Sequence, residues 1–243
     1  MNEDWNLKGG VIIIGSLLWG QGNGRKKWRE KSLDEESKIR VILPIRYGRY
    51  SKDSIYTMVF SRDCQKDKKL GTGYIFSFRL KPIKGIKALL TKAKAMSKAE
   101  GMDGDLENDW GKIAILFNPD KINPKIKKQI LLEWNKNKQS GIKKGSWKNY
   151  KLGEEEPCVN SHSELNIGWP YPLDNQRAQV LSELDFLFAA VTKPKHKTKT
   201  TYPTDYEVAE TVKNDTSRFY FCNNIKHGIT TFQDNAIINK ICP

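Results

Sequence analysis

The chain has 243 residues, with Lys and Arg numbering 42 against 28 Asp and Glu, a formal net charge of +14 and a hydrophobic fraction of 38%; its mean hydropathy is −0.64. No uninterrupted apolar run approaches the roughly 20 residues of a membrane-spanning helix, and none has the shape of a signal peptide. The composition therefore predicts a soluble, cytoplasmic protein with no membrane partner. Aromatic residues make up 10% of the chain and seven are Trp, enough to bury a real core, so intrinsic disorder is excluded. One domain, or one domain with a substantial appendage, suits this length.

Val11-Ile-Ile-Ile14 reads as a buried strand stopped by Gly15-Ser16, because continuous β-branched residues end at a glycine free to take positive φ. Leu17, Leu18 and Trp19 follow, then a Gly-rich link over Gly20–Gly24. Ile39–Arg46 and Ile55–Phe60 read as strands around a polar turn at Ser51–Ser54, and Gly73–Leu80 alternates Tyr74, Phe76, Phe78 and Leu80 on one face. Ile83, Ile86, Leu89, Leu90, Ala93 and Met96 carry helical periodicity. An acidic loop, Gly101–Asp109, precedes a strand over Lys112–Phe117.

Beyond Asn118-Pro119 the pattern changes. Ile122, Ile126, Ile130 and Trp134 predict a basic amphipathic helix, and Lys136–Tyr150 a loop. Helices are predicted over Asp174–Val191, over Thr204–Lys213 with a Thr204/Glu207 capping box, and over Asn235–Cys242; Arg218–Cys222 reads as a strand. Cys64, Cys158, Cys222 and Cys242 have neither disulfide-framework nor zinc-ligand spacing and read as reduced thiols. Asp103 and Asp105 lack the full pattern of a calcium loop, so no metal is predicted.

Two places hold residues suited to chemistry. A Gly-Ser turn at a strand end presents successive backbone N–H groups that can cradle a carboxylate, phosphate or oxyanion, although a purely structural turn looks the same. Glu100, at the end of the periodic helix and ahead of an acidic loop, has the like-charged neighbours that raise a carboxyl pKa toward the range of a general base; a solvated acidic loop is the alternative. Arg46 and Arg49 flank Tyr47-Gly48 and either fork onto an anion or pair with surface acids.

Gly15-Ser16-Leu17-Leu18-Trp19 after an apolar strand, Arg46-Tyr47-Gly48-Arg49, Gly73–Leu80 and Glu100-Gly101 closing a helix together resemble the γ-glutamylcyclotransferase-like group, with its ChaC branch nearest in the Gly-Ser-Leu-x-Trp. Ser16 and Glu100 are 84 residues apart, similar to that family's separation of its Gly-Ser loop from its Glu-Gly pair. The resemblance covers residues 10–118. It implies an α+β fold, a small mixed β-barrel with flanking helices, over residues 1–118, with 119–243 as a helical, Lys-rich elaboration packed on it. It further implies release of 5-oxoproline from a γ-glutamyl amine or related amide, with Glu100 as acid/base, Gly15, Ser16, Leu17, Trp19, Arg46 and Arg49 around the substrate, and no cofactor. The family's Tyr before the Gly is Ile14 here, so a phenol would have to come from elsewhere, with Tyr47, Tyr56 and Tyr74 as candidates. The alternative is a binding module of the same fold for an anionic small molecule or nucleotide.

The charge is uneven. Residues 121–151 hold ten lysines against one acid, Glu133, and Lys193, Lys195, Lys197 and Lys199 sit within seven residues. Interleaved Trp134, Trp147 and Tyr150 suggest either a surface for a nucleotide or nucleic acid over Lys121–Lys151 and Lys193–Lys199, or an ordinary helix whose aromatics face inward.

Overall fold

The computed structural model describes residues 5–79, 82–137, 146–174, 177–215 and 218–241. Its centre is a six-stranded mixed sheet. Strand β1 (Asn6–Leu7) leads into β2 (Gly9–Ile13), every residue of which is buried. Helices α1 (Ser16–Trp19) and α2 (Asn23–Ser32) follow, then β3 (Ile39–Leu43), β4 (Ile45–Tyr50), β5 (Tyr56–Phe60), α3 (Arg62–Lys66) and β6 (Gly71–Ser77). Next come β7 (Ile83–Lys84), α4 (Gly85–Ala99), β8 (Gly111–Phe117), α5 (Pro124–Lys136), β9 (Tyr171–Pro172), α6 (Ala178–Glu183), β10 (Phe186–Thr192), α7 (Asp205–Asn214), α8 (Phe219–Lys226) and α9 (Asp234–Ile241). The sheet order is β8-β10-β2-β6-β3-β9, with β4 and β5 forming a separate hairpin and β1 and β7 a short pair.

Strand β10 explains the architecture. It runs parallel to β2 and antiparallel to β8, so it is hydrogen-bonded on both edges. Its sequence, Phe186-Leu-Phe-Ala-Ala-Val-Thr, is almost wholly apolar, as a strand buried on both faces must be. Phe186 lies across the start of β2, where a Cβ on Gly9 would fall 2.2 Å from its ring; only glycine admits that crossing. Phe188 packs at a tilt against Phe186 at 5.0 Å and Trp134 of α5 at 5.3 Å and meets Phe78 at 5.7 Å, which joins the second half of the chain to the core of the first.

Local chemistry sets the helix ends. Asn123 caps α5 by accepting from the Lys125 N–H, and Pro124 occupies the first turn, where its missing N–H costs nothing. Ile130 and Trp134 are fully buried on the inner face of α5. The Thr204/Glu207 capping box at α7 is fully formed.

Several expectations need correction. The sheet is open, ending at β8 and β9, so the predicted small barrel does not close. Residues 119–243 are not a helical elaboration alone, because they supply β9 and β10 to the central sheet. Residues 178–183 of the predicted helix Asp174–Val191 are helical, but its second half is β10; Arg218–Cys222 begins a helix, not a strand. The Gly-rich link runs into α2, and Pro44 divides the strand predicted over Ile39–Arg46 into β3 and β4. The acidic loop is not uniformly solvated: Glu107 is buried and pairs with the equally buried Lys112 at 2.9 Å. Leu80, Lys138–Gly145 and Cys242 fall outside the described residues. Among the described residues, no helix is long and apolar enough to cross a membrane.

Because β10 supplies the hydrogen-bonding partner between β8 and β2, a chain ending at residue 118 is expected to lack a cooperative thermal transition, whereas the full chain shows one; differential scanning calorimetry of the two distinguishes this from an independent 1–118 domain.

Candidate functional site

At the end of β2 the chain turns at Gly15, whose φ of 75° and ψ of −147° lie in a region open essentially to glycine alone. A Cβ there would also stand 2.5 Å from the Tyr220 hydroxyl. The turn delivers Ser16 to the start of α1 and sends Leu17 into the core, where it is 2% exposed. One turn further along the chain, α2 presents Arg25. Its guanidinium donates to Ser16 Oγ at 2.9 Å through one terminal nitrogen and to Glu100 Oε2 at 3.0 Å through the other. Glu100 caps the C-terminal end of α4. Arg25 thus joins two side chains that the sequence separates widely.

These groups line one pocket of about 190 Å³ together with Ile14, Arg49, Thr57, Met58, Trp110, Ala190, Thr192 and Tyr220. Arg49 arrives through a bulge in β4: the register shifts between Tyr47 and Arg49, so Arg49 faces Thr57 instead of Tyr56. It donates to the Lys193 carbonyl at 2.6 Å and has no carboxylate partner among the described residues. Thr192 Oγ1 is buried and has no hydrogen-bond partner among the described residues. A wider cleft of about 680 Å³ adjoins the pocket, shares Ser16, Arg25, Thr57 and Tyr220 with it, and is walled by Trp19, Ile55 and Phe219. Trp19 is held by its Nε1–H donating to Asn224 Oδ1 at 2.8 Å.

Glu100 carries the site's main electrostatic tension. Burial pushes its carboxyl above the ordinary value, and the Arg25 charge and hydrogen bond oppose that rise without cancelling it. Arg25 takes Oε2; Oε1 has no hydrogen-bond partner among the described residues. Arg49 is itself shifted down by burial, the mark of a cation held away from bulk water.

Of the residues predicted from sequence, Ser16, Arg49 and Glu100 line the pocket and Trp19 lines the adjoining cleft. Gly15 shapes the turn. Leu17 contributes its carbonyl, which accepts from Arg29 at 2.7 Å, while its side chain is core. Arg46 is elsewhere: its guanidinium lies 4.3 Å from the Tyr202 ring and 5.6 Å from that of Phe232. None of Tyr47, Tyr56 and Tyr74 lines the pocket; the phenol there is Tyr220, from α8. Sequence reasoning missed Arg25 and Tyr220. Arg25 sits in a charged helix with little amphipathic signal, and Tyr220 in a segment read as a strand.

Several described lysines of the basic segments are engaged. Lys127 pairs with Glu164, Lys136 with Glu133 and Lys199 with Glu207; Lys193 donates to the carbonyls of Asn108 and Asp109. Trp134 and Tyr150 are fully buried and present no face on which a base can stack, leaving Trp147 half-buried. Among the described residues, no group of three His, Cys, Asp or Glu side chains gathers at metal-binding distance. Comparison of the chain with models of known protein families, with curated proteins and with solved structures finds no match.

The raised Glu100 carboxyl has a consequence for stability. An acid whose native pKa exceeds its unfolded value of about 4.5 keeps a proton in the folded state that the unfolded chain has already released. Its contribution to stability is therefore full below that value and declines as pH rises through the native pKa. Denaturant titrations from pH 4 to 8 are expected to show this decline in the wild-type protein relative to Glu100→Gln, which lacks the titrating group.

Proposed function

We propose that the protein is a γ-glutamylcyclotransferase-like enzyme that cleaves a γ-glutamyl amine or a related amide and releases 5-oxoproline. The observation that carries this reading is the presence of opposite charges in one small pocket: Glu100, with Oε1 unengaged, and Arg49, without a carboxylate partner among the described residues, line it together with Ser16. A γ-glutamyl compound carries an α-amino acid head. Its carboxylate suits the Arg49 fork and its amine suits Glu100 Oε1.

The chemistry follows from that orientation. Glu100 takes a proton from the α-amine as the nitrogen attacks the γ-carbonyl carbon, closing a five-membered ring. It returns that proton to the departing amine as the original C–N bond breaks, so the atoms balance within the substrate and one carboxyl group. Because nucleophile and electrophile belong to one molecule, the pocket has only to hold a folded conformer, and proximity does much of the work. Arg25 opposes the effect of burial on the carboxyl and fixes its rotamer. Burial shifts the Glu100 carboxyl upward, the direction that suits a group required both to accept and to return a proton.

Two guanidinium groups and a single carboxylate in the lining of one pocket favour a second reading, a pocket for an anionic small molecule or nucleotide without turnover. The two differ in a thermal-shift screen, because a ligand specific for the folded state raises the melting temperature: γ-glutamyl compounds stabilise the protein under the first reading, nucleotides under the second.

Incubation with a panel of γ-glutamyl amines is expected to yield 5-oxoproline, detected by chromatography. Glu100→Gln should lower kcat by about 10²–10⁴-fold while leaving the melting profile cooperative, and Arg49→Met should raise KM by about tenfold or more through loss of a charged hydrogen bond. Full turnover by Glu100→Gln would contradict the assignment.

A further inference from the structure

Resting on the reading of this pocket as a cyclising site, we infer that the Tyr220 hydroxyl is a catalytic hydrogen-bond donor, aimed at the substrate carbonyl oxygen that becomes an oxyanion as the amine attacks.

The position of Tyr220 is over-determined. It stands in the first turn of α8, where its ring meets Trp19 edge-on at 5.8 Å. Its hydroxyl rests against Gly15, in the space that any side chain at position 15 would fill. Trp19 is in turn tied back to α8 through Asn224. The phenol therefore cannot move without disturbing both the Gly-Ser turn and the aromatic wall of the cleft.

Its hydrogen bonding is directional. The backbone N–H of Met58 donates to the Tyr220 oxygen at 3.2 Å, and the Asn224 side chain stands beside the same hydroxyl as a second hydrogen-bond partner. A phenolic hydroxyl that accepts from one side turns its proton away from that donor. Met58, Thr57, Ser16 and Glu100 line the same pocket as Tyr220, so the phenol stands in the wall of the cavity that holds the carboxyl group.

The proposed chemistry has a place for such a group. Glu100 serves the amine and Arg49 the carboxylate, which leaves the γ-carbonyl oxygen to be stabilised as charge develops on it. A neutral donor held in place beforehand performs that task without competing for the substrate carboxylate. Burial together with the nearby Glu100 charge holds the Tyr220 phenol above its ordinary pKa, so it stays protonated at neutral pH and serves as a donor, not a base. Tyr220 belongs to the half of the chain outside the cyclotransferase-like motifs, which makes residues 119–243 part of the catalytic apparatus.

The test compares wild-type protein, Tyr220→Phe and a protein carrying 3,5-difluorotyrosine at position 220, each turning over a γ-glutamyl amine. Tyr220→Phe is expected to lower kcat by about 10²–10³-fold, the usual consequence of losing one oxyanion donor, with KM changed less than about threefold. The fluorinated phenol keeps the size and the Met58 contact but is more acidic, so the alkaline limb of kcat should move to lower pH, an effect a packing role would not produce. If the wild-type protein makes no 5-oxoproline from any γ-glutamyl amine, the cyclising reading fails and this inference falls with it. If the wild-type protein is active while Tyr220→Phe keeps its kcat, or the fluorinated protein keeps the wild-type pH limb, the role of Tyr220 alone is overturned.

Discussion

Arg25 grips Ser16 with one nitrogen and Glu100 with the other, and the geometry of the pocket depends on that double contact. A carboxylate withdrawn from water is costly unless a cation stands beside it, and the Glu100 side chain is only 12% exposed. Arg25, more exposed at 31%, supplies the countercharge from the rim while its other nitrogen anchors the loop that follows β2. The planar, fixed fork of a guanidinium suits this role; a lysine offers a point charge and no defined angle between two partners. Only one carboxylate oxygen is consumed.

The sheet carries this arrangement. With β10 between β8 and β2, the strand that leads to Gly15 and the one that begins near Trp110 are held on either side of it, and β10 itself adds Ala190 and Thr192 to the pocket wall. The hairpin of β4 and β5 closes another side and brings Arg49 and Met58. Helix α8 completes the enclosure with Tyr220. Each wall comes from a different part of the chain, so the site exists only in the complete fold. The net positive charge is largely a separate matter, since many of the described lysines outside the pocket pair with acids or with backbone carbonyls.

Elements with a strong local signal were legible in the sequence. The β-branched run before Gly15, the 3.6-residue period that defines α4, the Asn123-Pro124 start of α5 and the capping box of α7 each encode their structure within a few residues. Strand β10 was not legible, because an unbroken apolar run has neither period and suits a buried helix as well as a buried strand. The same holds for α2, in which Trp28 is the lone large apolar side chain among charged neighbours. Arg49 shows a third kind of limit: alternation along β4 gives the wrong face unless the bulge at Gly48 is known. Ser16 and Glu100 could be connected only through the order and separation of two motifs, while Arg25, which holds both, and Tyr220, which abuts the turn at Gly15, carry no motif at all.

The account rests on one physical claim: the pocket is built to hold an α-amino acid head, with the carboxylate on Arg49 and the amine on Glu100. A crystal structure of Glu100→Gln with a γ-glutamyl amine tests it directly, because the substitution keeps the shape of the side chain and removes the proton acceptor. The account predicts the ligand carboxylate within hydrogen-bond distance of Arg49 and the amine beside residue 100, with the γ-carbonyl oxygen toward Tyr220. Ligand bound in the opposite orientation, or a pocket left empty at saturating ligand, would contradict it.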